Sequence, residues 1–383
     1  MITTETFWQL VRKVNRSERD QKQMDQYQRA YKQRNIADLQ KRFIKPLLPN
    51  ARVGSSWAMG HPDGLHTFAR LDGVGGQRSL KGSDYDFPLR RNTRLIHYTG
   101  HDKLELILKE GAFRAFSLSH STDEQEFIAK ASEMGCADWN LAKWRDNLFS
   151  LSFVDFTSRC ESFWHWKNYG RVGRGVGIVV SIEPGHRYDW VDNFLGPIFY
   201  DGEQKTRFAR IKEEIAAFEK EHVFRWDRPE DFYAKLFAFH KVSSFKPEQE
   251  VRLLEHWPHR SGTGGAGKYE GRKDLQNHLN QNYRRSYSVP FYLGTKLEDH
   301  LKRPSDPELE RMIKHLGPRL KIEEVIVGPD VSEREFCEML EYGNELARLN
   351  IGYGIPMRWS DLRMHKVSCM HTTSERVWNS PFI

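Results

Sequence analysis

One short stretch constrains this chain more than any other. Leu95 to Thr99 reads as an apolar strand, Gly100 as a turn, and Asp102 to Glu110 as a helix with Leu104, Ile107 and Leu108 on one face and a stop at Gly111. A strand that delivers a histidine, a tyrosine and a hydroxyl to its end, then turns at glycine into a helix, is a common way to place polar groups at the mouth of a pocket.

Short strands alternate with helices at uneven spacing through the rest of the chain. Phe113 to Leu118 reads as a strand, a helix runs through Phe127 and Ile128, and a second helix lies around residues 137–147. Leu148 to Phe153 follows as a strand with Ser150 and Ser152 on one face, then an aromatic helical turn from Ser162 to Tyr169 and a buried strand from Gly175 to Ile182. Residues 199–225 include a charged helix, 229–242 form an amphipathic one, and Glu248 to Leu254 reads as a strand after Pro247. Further strands are expected at Tyr287 to Leu293, Ile322 to Val327 and Ile355 to Trp359, with a helix from Ser332 to Leu349. The pattern predicts an α+β sheet core rather than regular βαβ winding.

The first 93 residues differ. Phe7, Leu10, Val11 and Val14 mark one helical stripe, a polar run continues to Arg34, and a second helical piece from Ile36 ends at Pro46. Residues 1–45 hold eleven Lys/Arg against five Asp/Glu, so six of the seven net positive charges sit there. Two readings fit this segment: a solvated helical hairpin, or a basic arm on nucleic acid phosphates. Residues 49–92 are glycine-rich and read as irregular. Their Gly82-Ser83-Asp84-Tyr85-Asp86 run is similar to the paired carboxylates of nucleotidyltransferases, but Ser55 lies too far upstream for that pattern. No apolar run approaches a membrane span, and Met1 to Leu10 lacks the pattern of a signal peptide, which predicts a cytoplasmic protein. The four cysteines stand singly, so reduced thiols are expected. His365, Cys369 and His371 are metal-ligand types without a fourth partner at suitable spacing, and no metal is expected.

Three blocks carry candidate chemistry: His97-Tyr98-Thr99, the serines and aromatics from Ser150 to Tyr169, and Glu248-Gln249-Glu250-Val251-Arg252. A histidine at a strand end is more often structural than catalytic, and each block alone is weak. Together they supply what cleavage of a nicotinamide glycosidic bond needs: a carboxylate beside the developing cation, donors for ribose hydroxyls and an aromatic platform for the base. By the period of two, Arg252 falls on the face of Glu250 and Glu248, where it could hold a carboxylate or bind pyrophosphate.

These blocks, with the Lys241 and Ile322 to Pro329 segments, resemble a widespread bacterial family that looks like a divergent branch of the ADP-ribosyltransferase superfamily. The resemblance covers residues 94–363 and implies a split mixed sheet with surrounding helices, preceded by a basic helical extension (1–48) and a glycine-rich segment (49–93), and followed by a tail (364–383). It also implies NAD as substrate. His97, Tyr98 and Thr99 would grip NAD, Ser152 or less readily Ser150 would stand in the second-strand position, and Trp166 or Tyr169 would stack on nicotinamide. Glu250 would be the catalytic glutamate and Glu248 would orient the acceptor. Asp123, Glu124 and Glu126 match an acidic loop of the family. The implied activity is ADP-ribosylation of a macromolecule, RNA or DNA favoured, by a bacterial toxin or phage-defence effector with a possible antitoxin partner. An NAD glycohydrolase and a non-catalytic nucleic-acid-binding module are the alternatives.

Overall fold

The structure is a computed structural model. It describes residues 17–44, 51–61, 64–73, 94–118, 147–183, 193–200, 224–226, 237–256, 276–279, 285–294 and 318–363, with a few single positions between them. In chain order these give helix α1 (Glu18–Leu39), strands β1 (Ala51–His61), β2 (Gly64–Gly73) and β3 (Leu95–Thr99), helix α2 (His101–Glu110), and strands β4 (Ala112–Ser117) and β5 (Leu148–Asp155). Next come α3 (Phe163–Asn168), β6 (Val176–Glu183), β7 (Asn193–Pro197), β8 (Phe199–Tyr200), β9 (Phe224–Trp226), β10 (His240–Lys241) and β11 (Glu250–His256). Strands β12 (Gln276–Leu279), β13 (Arg285–Tyr292) and β14 (Arg319–Val327), helix α4 (Glu333–Asn350) and β15 (Met357–Trp359) complete them. The class is α+β, as the alternation predicts.

The main sheet runs β12-β13-β4-β5-β3-β6-β14-β15, with β11 and then β7 added at β5. All of its pairs are antiparallel except β14 with β15. Strand β5 is the branch point. β11 pairs along it from Leu148 to Val154 on one edge, while the other edge is shared between β4 at Phe149 and Ser150 and β3 at Val154 and Asp155. The sheet therefore splits between β3 and β4.

Each face of the sheet is buried by a different set of apolar side chains. Leu104, Ile107 and Leu108 recur at helical spacing on α2 and join Ala347 of α4 in one cluster with the strand residues Leu95, Phe113, Phe153, Ile178 and Val180. Burying each such large side chain contributes about 2 kcal/mol. Gly111 stops α2 in the left-handed region at φ 62°, and its N–H bonds to the carbonyl of Ile107. On the other face Ile96, Tyr98, Phe156, Trp166, Val179 and Ile326 form a smaller cluster. Alternation along β3 separates the two sets. Gly175 lets β6 begin against β3, because a side chain there would strike the carbonyl of Thr99.

Four sequence expectations change. Residues 18–39 form one continuous helix rather than two pieces, passing directly into a π turn at Gln40–Ile44, and a capping box at Ser17 and Asp20 starts it. Ala51–His61 and Gly64–Gly73 pair as antiparallel strands where the glycine content predicts an irregular segment, and β9 adds to β2 in parallel. Helix α1 packs on β1 and β2, and β2 reaches β7 at the edge of the main sheet. Residues 240 and 241 leave the expected amphipathic helix to pair with β8. Glu248 closes a 3-10 helix (Ser243–Glu248) instead of opening a strand. Asp84, Asp86, Asp123, Glu124, Glu126, His365, Cys369 and His371 lie outside the described residues. Among the described residues no helix is long and apolar enough to cross a membrane, and no group of three His, Cys, Asp or Glu side chains is placed to hold a metal ion.

Candidate functional site

Strand β11 is buried along its whole length although it carries Glu250, Arg252 and Glu255. Its register sets Arg252 opposite Ser152 on β5 and opposite Gly196 on β7. Glu250, Arg252 and Ser152 therefore share one face. The chain turns into this strand through Gln249, whose φ of 46° lies in the left-handed region, so the strand period does not relate Glu248 to Glu250. The two carboxylates meet through a lysine instead. Lys241 Nζ lies 2.7 Å from Glu248 Oε2 and 3.0 Å from Glu250 Oε2.

Each carboxylate has further partners. Arg252 donates to Glu250 through Nε to Oε1 at 2.8 Å and through its terminal nitrogen to Oε2 at 3.0 Å, a two-pronged grip, and also donates to the carbonyl of Ala238. Ser152 Oγ donates to Glu250 Oε1 at 2.6 Å. Tyr169 Oη donates to Glu248 Oε1 at 2.5 Å. The backbone N–H of Glu250 donates to Tyr200 Oη at 2.9 Å, and His165 Nε2 donates to the carbonyl of Glu248 at 2.8 Å. Lys241, Glu248, Glu250 and Arg252 are all buried, while Ser152 and Tyr169 are exposed and mark the side of the cluster open to solvent.

Burial alone would push the Glu250 carboxyl up. The charges of Arg252 and Lys241, with hydrogen bonds from Arg252 and Ser152, outweigh it and bring the group down to about 2. Glu250 is thus an ionised carboxylate in a nearly dry place. Burial and the bond to Glu248 hold the Tyr169 phenol well above its ordinary value, and burial pushes Tyr200 up to about 12.

His97 stands differently from its expected role. It packs edge-on against Phe113 and Phe153, which places it by alternation on the α2 face of the sheet, opposite Glu250. Its Nδ1 lies 2.8 Å from the carbonyl of Ser152, in the gap where β3 and β4 leave β5. Burial lowers its pKa, so the ring is neutral near pH 7, and a carbonyl partner fixes the proton on Nδ1 and leaves Nε2 an acceptor. His97 and Glu250 therefore meet at one residue, the first on the carbonyl of Ser152 and the second on its hydroxyl.

The remaining predicted residues divide. Tyr169, Glu248 and Arg252 join the cluster. Thr99 is half-buried on the face of His97, and Ser150 sits beyond the cluster opposite Leu254. Tyr98 and Trp166 are core: their rings meet edge-on with centroids 5.0 Å apart, Tyr98 stacks on His165 at 5.4 Å, and Trp166 Nε1 donates to Glu161. Burial of Trp166 leaves Tyr169, exposed and in edge contact with Trp164, as the aromatic surface at the carboxylates. Arg252 is committed to Glu250 and Ala238, which makes it a positioning residue rather than a pyrophosphate ligand.

Lys241, Tyr200 and His165 complete the cluster without a role assigned to them by the sequence. Lys241 lies inside the stretch expected as an amphipathic helix, where a lysine reads as solvated, and only its place among the resembling blocks marks it. Separately, a cavity of about 450 Å³ opens between α2 and α4, lined by Leu104, Leu108, Met339, Gly343 and Leu346 with Arg174 at the rim, and contains none of these groups. No protein-family model, curated protein or solved structure matches this chain.

Proposed function

We propose that the chain breaks the nicotinamide glycosidic bond of NAD and transfers ADP-ribose to a macromolecular acceptor, a nucleic acid in preference to a protein, in the manner of a bacterial toxin or phage-defence effector. The observation that carries this reading is the ionised Glu250, buried beside Glu248 and capped on its open side by the exposed Ser152 hydroxyl. The split between β3 and β4 supports a fold of the ADP-ribosyltransferase type.

The chemistry runs as a single displacement at the sugar. The C1′–N bond breaks with its electron pair leaving on nicotinamide, positive charge spreads over C1′ and the ring oxygen, and the acceptor forms the new bond to C1′. A ribose hydroxyl replaces Ser152 at Glu250 Oε1, and the carboxylate stabilises the cation through that contact. Glu248, held by Tyr169 and Lys241, takes the proton of the acceptor. Tyr169 offers stacking surface for a planar base, and His97, on the other face of the sheet, positions the Ser152 backbone rather than touching the sugar.

The test is incubation of wild type and Glu250→Gln with labelled NAD and cell lysate, split between nuclease and protease treatment. Label that survives protease, disappears with nuclease and falls at least about a hundredfold in Glu250→Gln is expected, the loss of one charge-stabilising group. NAD left intact in every fraction overturns the reading. NAD consumed without macromolecular label makes water the acceptor.

A further inference from the structure

Helix α1 is two-sided in an unusual way. Its buried residues, Met24, Asn35 and Leu39, fall on one side, where α1 packs on β1 and β2. At about 100° per residue the opposite side centres on Gln26, Ala30, Gln33 and Ala37, all exposed. This ridge of small and amide side chains carries no acid; the four acids of the helix, Glu18, Asp20, Asp25 and Asp38, lie further round toward the packed side, against its five Lys/Arg. Cations flank it on both sides: Lys22 and Arg29 along one, Arg34 and then Lys41 of the π turn along the other, with Arg19 at its start. Of these five exposed cations, Lys22 alone has a carboxylate partner among the described residues, the still more exposed Glu18 at 3.3 Å.

We infer that α1 lies in the major groove of duplex DNA, with the Gln26–Ala37 ridge toward the base edges and the two cation rows on the phosphates of opposite strands. The 22-residue helix is about 33 Å long, close to one turn of duplex. Alanines let a helix approach the groove floor, and glutamines can pair with base edges. The chemistry disfavours the other polyanions. A helix that rests on an anionic membrane inserts large apolar residues, and the exposed ridge has none. Single strands are held by aromatic stacking, whereas Tyr27 and Tyr31 stack on each other 6.1 Å apart and are half-buried. A-form RNA has a major groove too narrow for a helix.

Helix α1 is linked to the carboxylate cluster through the strands beneath it. It rests on β1 and β2, β2 reaches β7, and β7 pairs with β11 beside Arg252. The inference rests on the proposed transfer only for the purpose of binding; the contact itself needs no NAD.

Fluorescence anisotropy on the full chain tests it, with a DNA duplex of about 20 base pairs, the matching single strand, an RNA duplex and phosphatidylserine vesicles as probes. Duplex DNA is expected to bind most tightly, with affinity falling about a hundredfold between roughly 50 and 200 mM salt, as about four phosphate contacts require. The variant K22Q/R29Q/R34Q/K41Q, with circular dichroism to verify folding, is expected to lose most of that affinity and salt dependence. Ala30→Glu alone should weaken binding by at least about tenfold by placing a carboxylate on the ridge. Equal binding by the quadruple variant, or preference for single strand, RNA or vesicles, overturns the inference. Glu250→Gln is expected to bind DNA as wild type does. A wild-type chain that transfers from NAD but does not bind duplex DNA refutes the docking face alone, and one that binds duplex DNA but leaves NAD intact refutes the proposed reaction alone.

Discussion

Glu250 keeps its charge in a buried place because two cations and a hydroxyl hold it, and that has a measurable cost at low pH. With the folded-state pKa at about 2 and the free value near 4.5, its contribution to stability is complete above pH 4.5 and is lost as pH falls from 4.5 to 2. The shift corresponds to about 3 kcal/mol. Urea unfolding between about pH 6 and 2 should show this acid limb in wild type and a shallower one in Glu250→Gln. Lys241 is the second test at this scale. Lys241→Met leaves two carboxylates facing each other without their shared cation and is expected to destabilise by about 3–5 kcal/mol. Adding Glu248→Gln should recover part of that loss, and additive effects in the double variant would show that the lysine does not couple the pair. Glu250 and Arg252 were legible in the sequence from the period of a strand. The lysine was not, because its approach depends on a two-residue pairing of β10 with β8 that no local pattern encodes.

Among the elements, β5 carries the most consequence. The edge it shares between β3 and β4 leaves the carbonyl of Ser152 facing a gap, and the Nδ1–H of His97 fills it. Because burial lowers the pKa of His97, the folded state resists protonation that the unfolded chain accepts near pH 6.5. The stability supplied by the neutral ring is therefore full above that value and declines as pH drops below it. His165, lowered by burial as well, adds in the same direction. His97→Phe should lose about 1–3 kcal/mol at about pH 7.5 and should flatten the decline between roughly pH 6.5 and 5, followed by thermal melting. An unchanged slope would mean that His97 does not report the gap. Elements with strong local signals were readable in advance: α2 through its stripe and Gly111, and α4 as a helix from Ser332, where the structure adds a capping box with Glu335. The turn into β11 was not. A strand beginning at Glu248 fits the alternation equally well, and only the left-handed Gln249 reveals the 3-10 helix. Likewise the long polar run to Arg34 suggests a break in α1 that tertiary packing on β1 and β2 removes.

For the whole molecule, the described part of the basic segment is α1 with its π turn, seven Lys/Arg against four Asp/Glu, and α1 is mounted on the small β1-β2-β9 sheet, while the main sheet holds the buried carboxylates. Composition revealed the concentration of charge, and the strand-helix alternation revealed the α+β class. The bridging role of β2 against β7 needed three-dimensional packing, since residues 51–73 read as glycine-rich and irregular. The quartet of Lys241, Arg252, Glu248 and Glu250 also has a consequence for selectivity. Two positive and two negative groups cancel, so a further ion brought to Glu250 would leave uncompensated charge in a dry setting, whereas an uncharged hydroxyl could take the place of that of Ser152 without altering the balance.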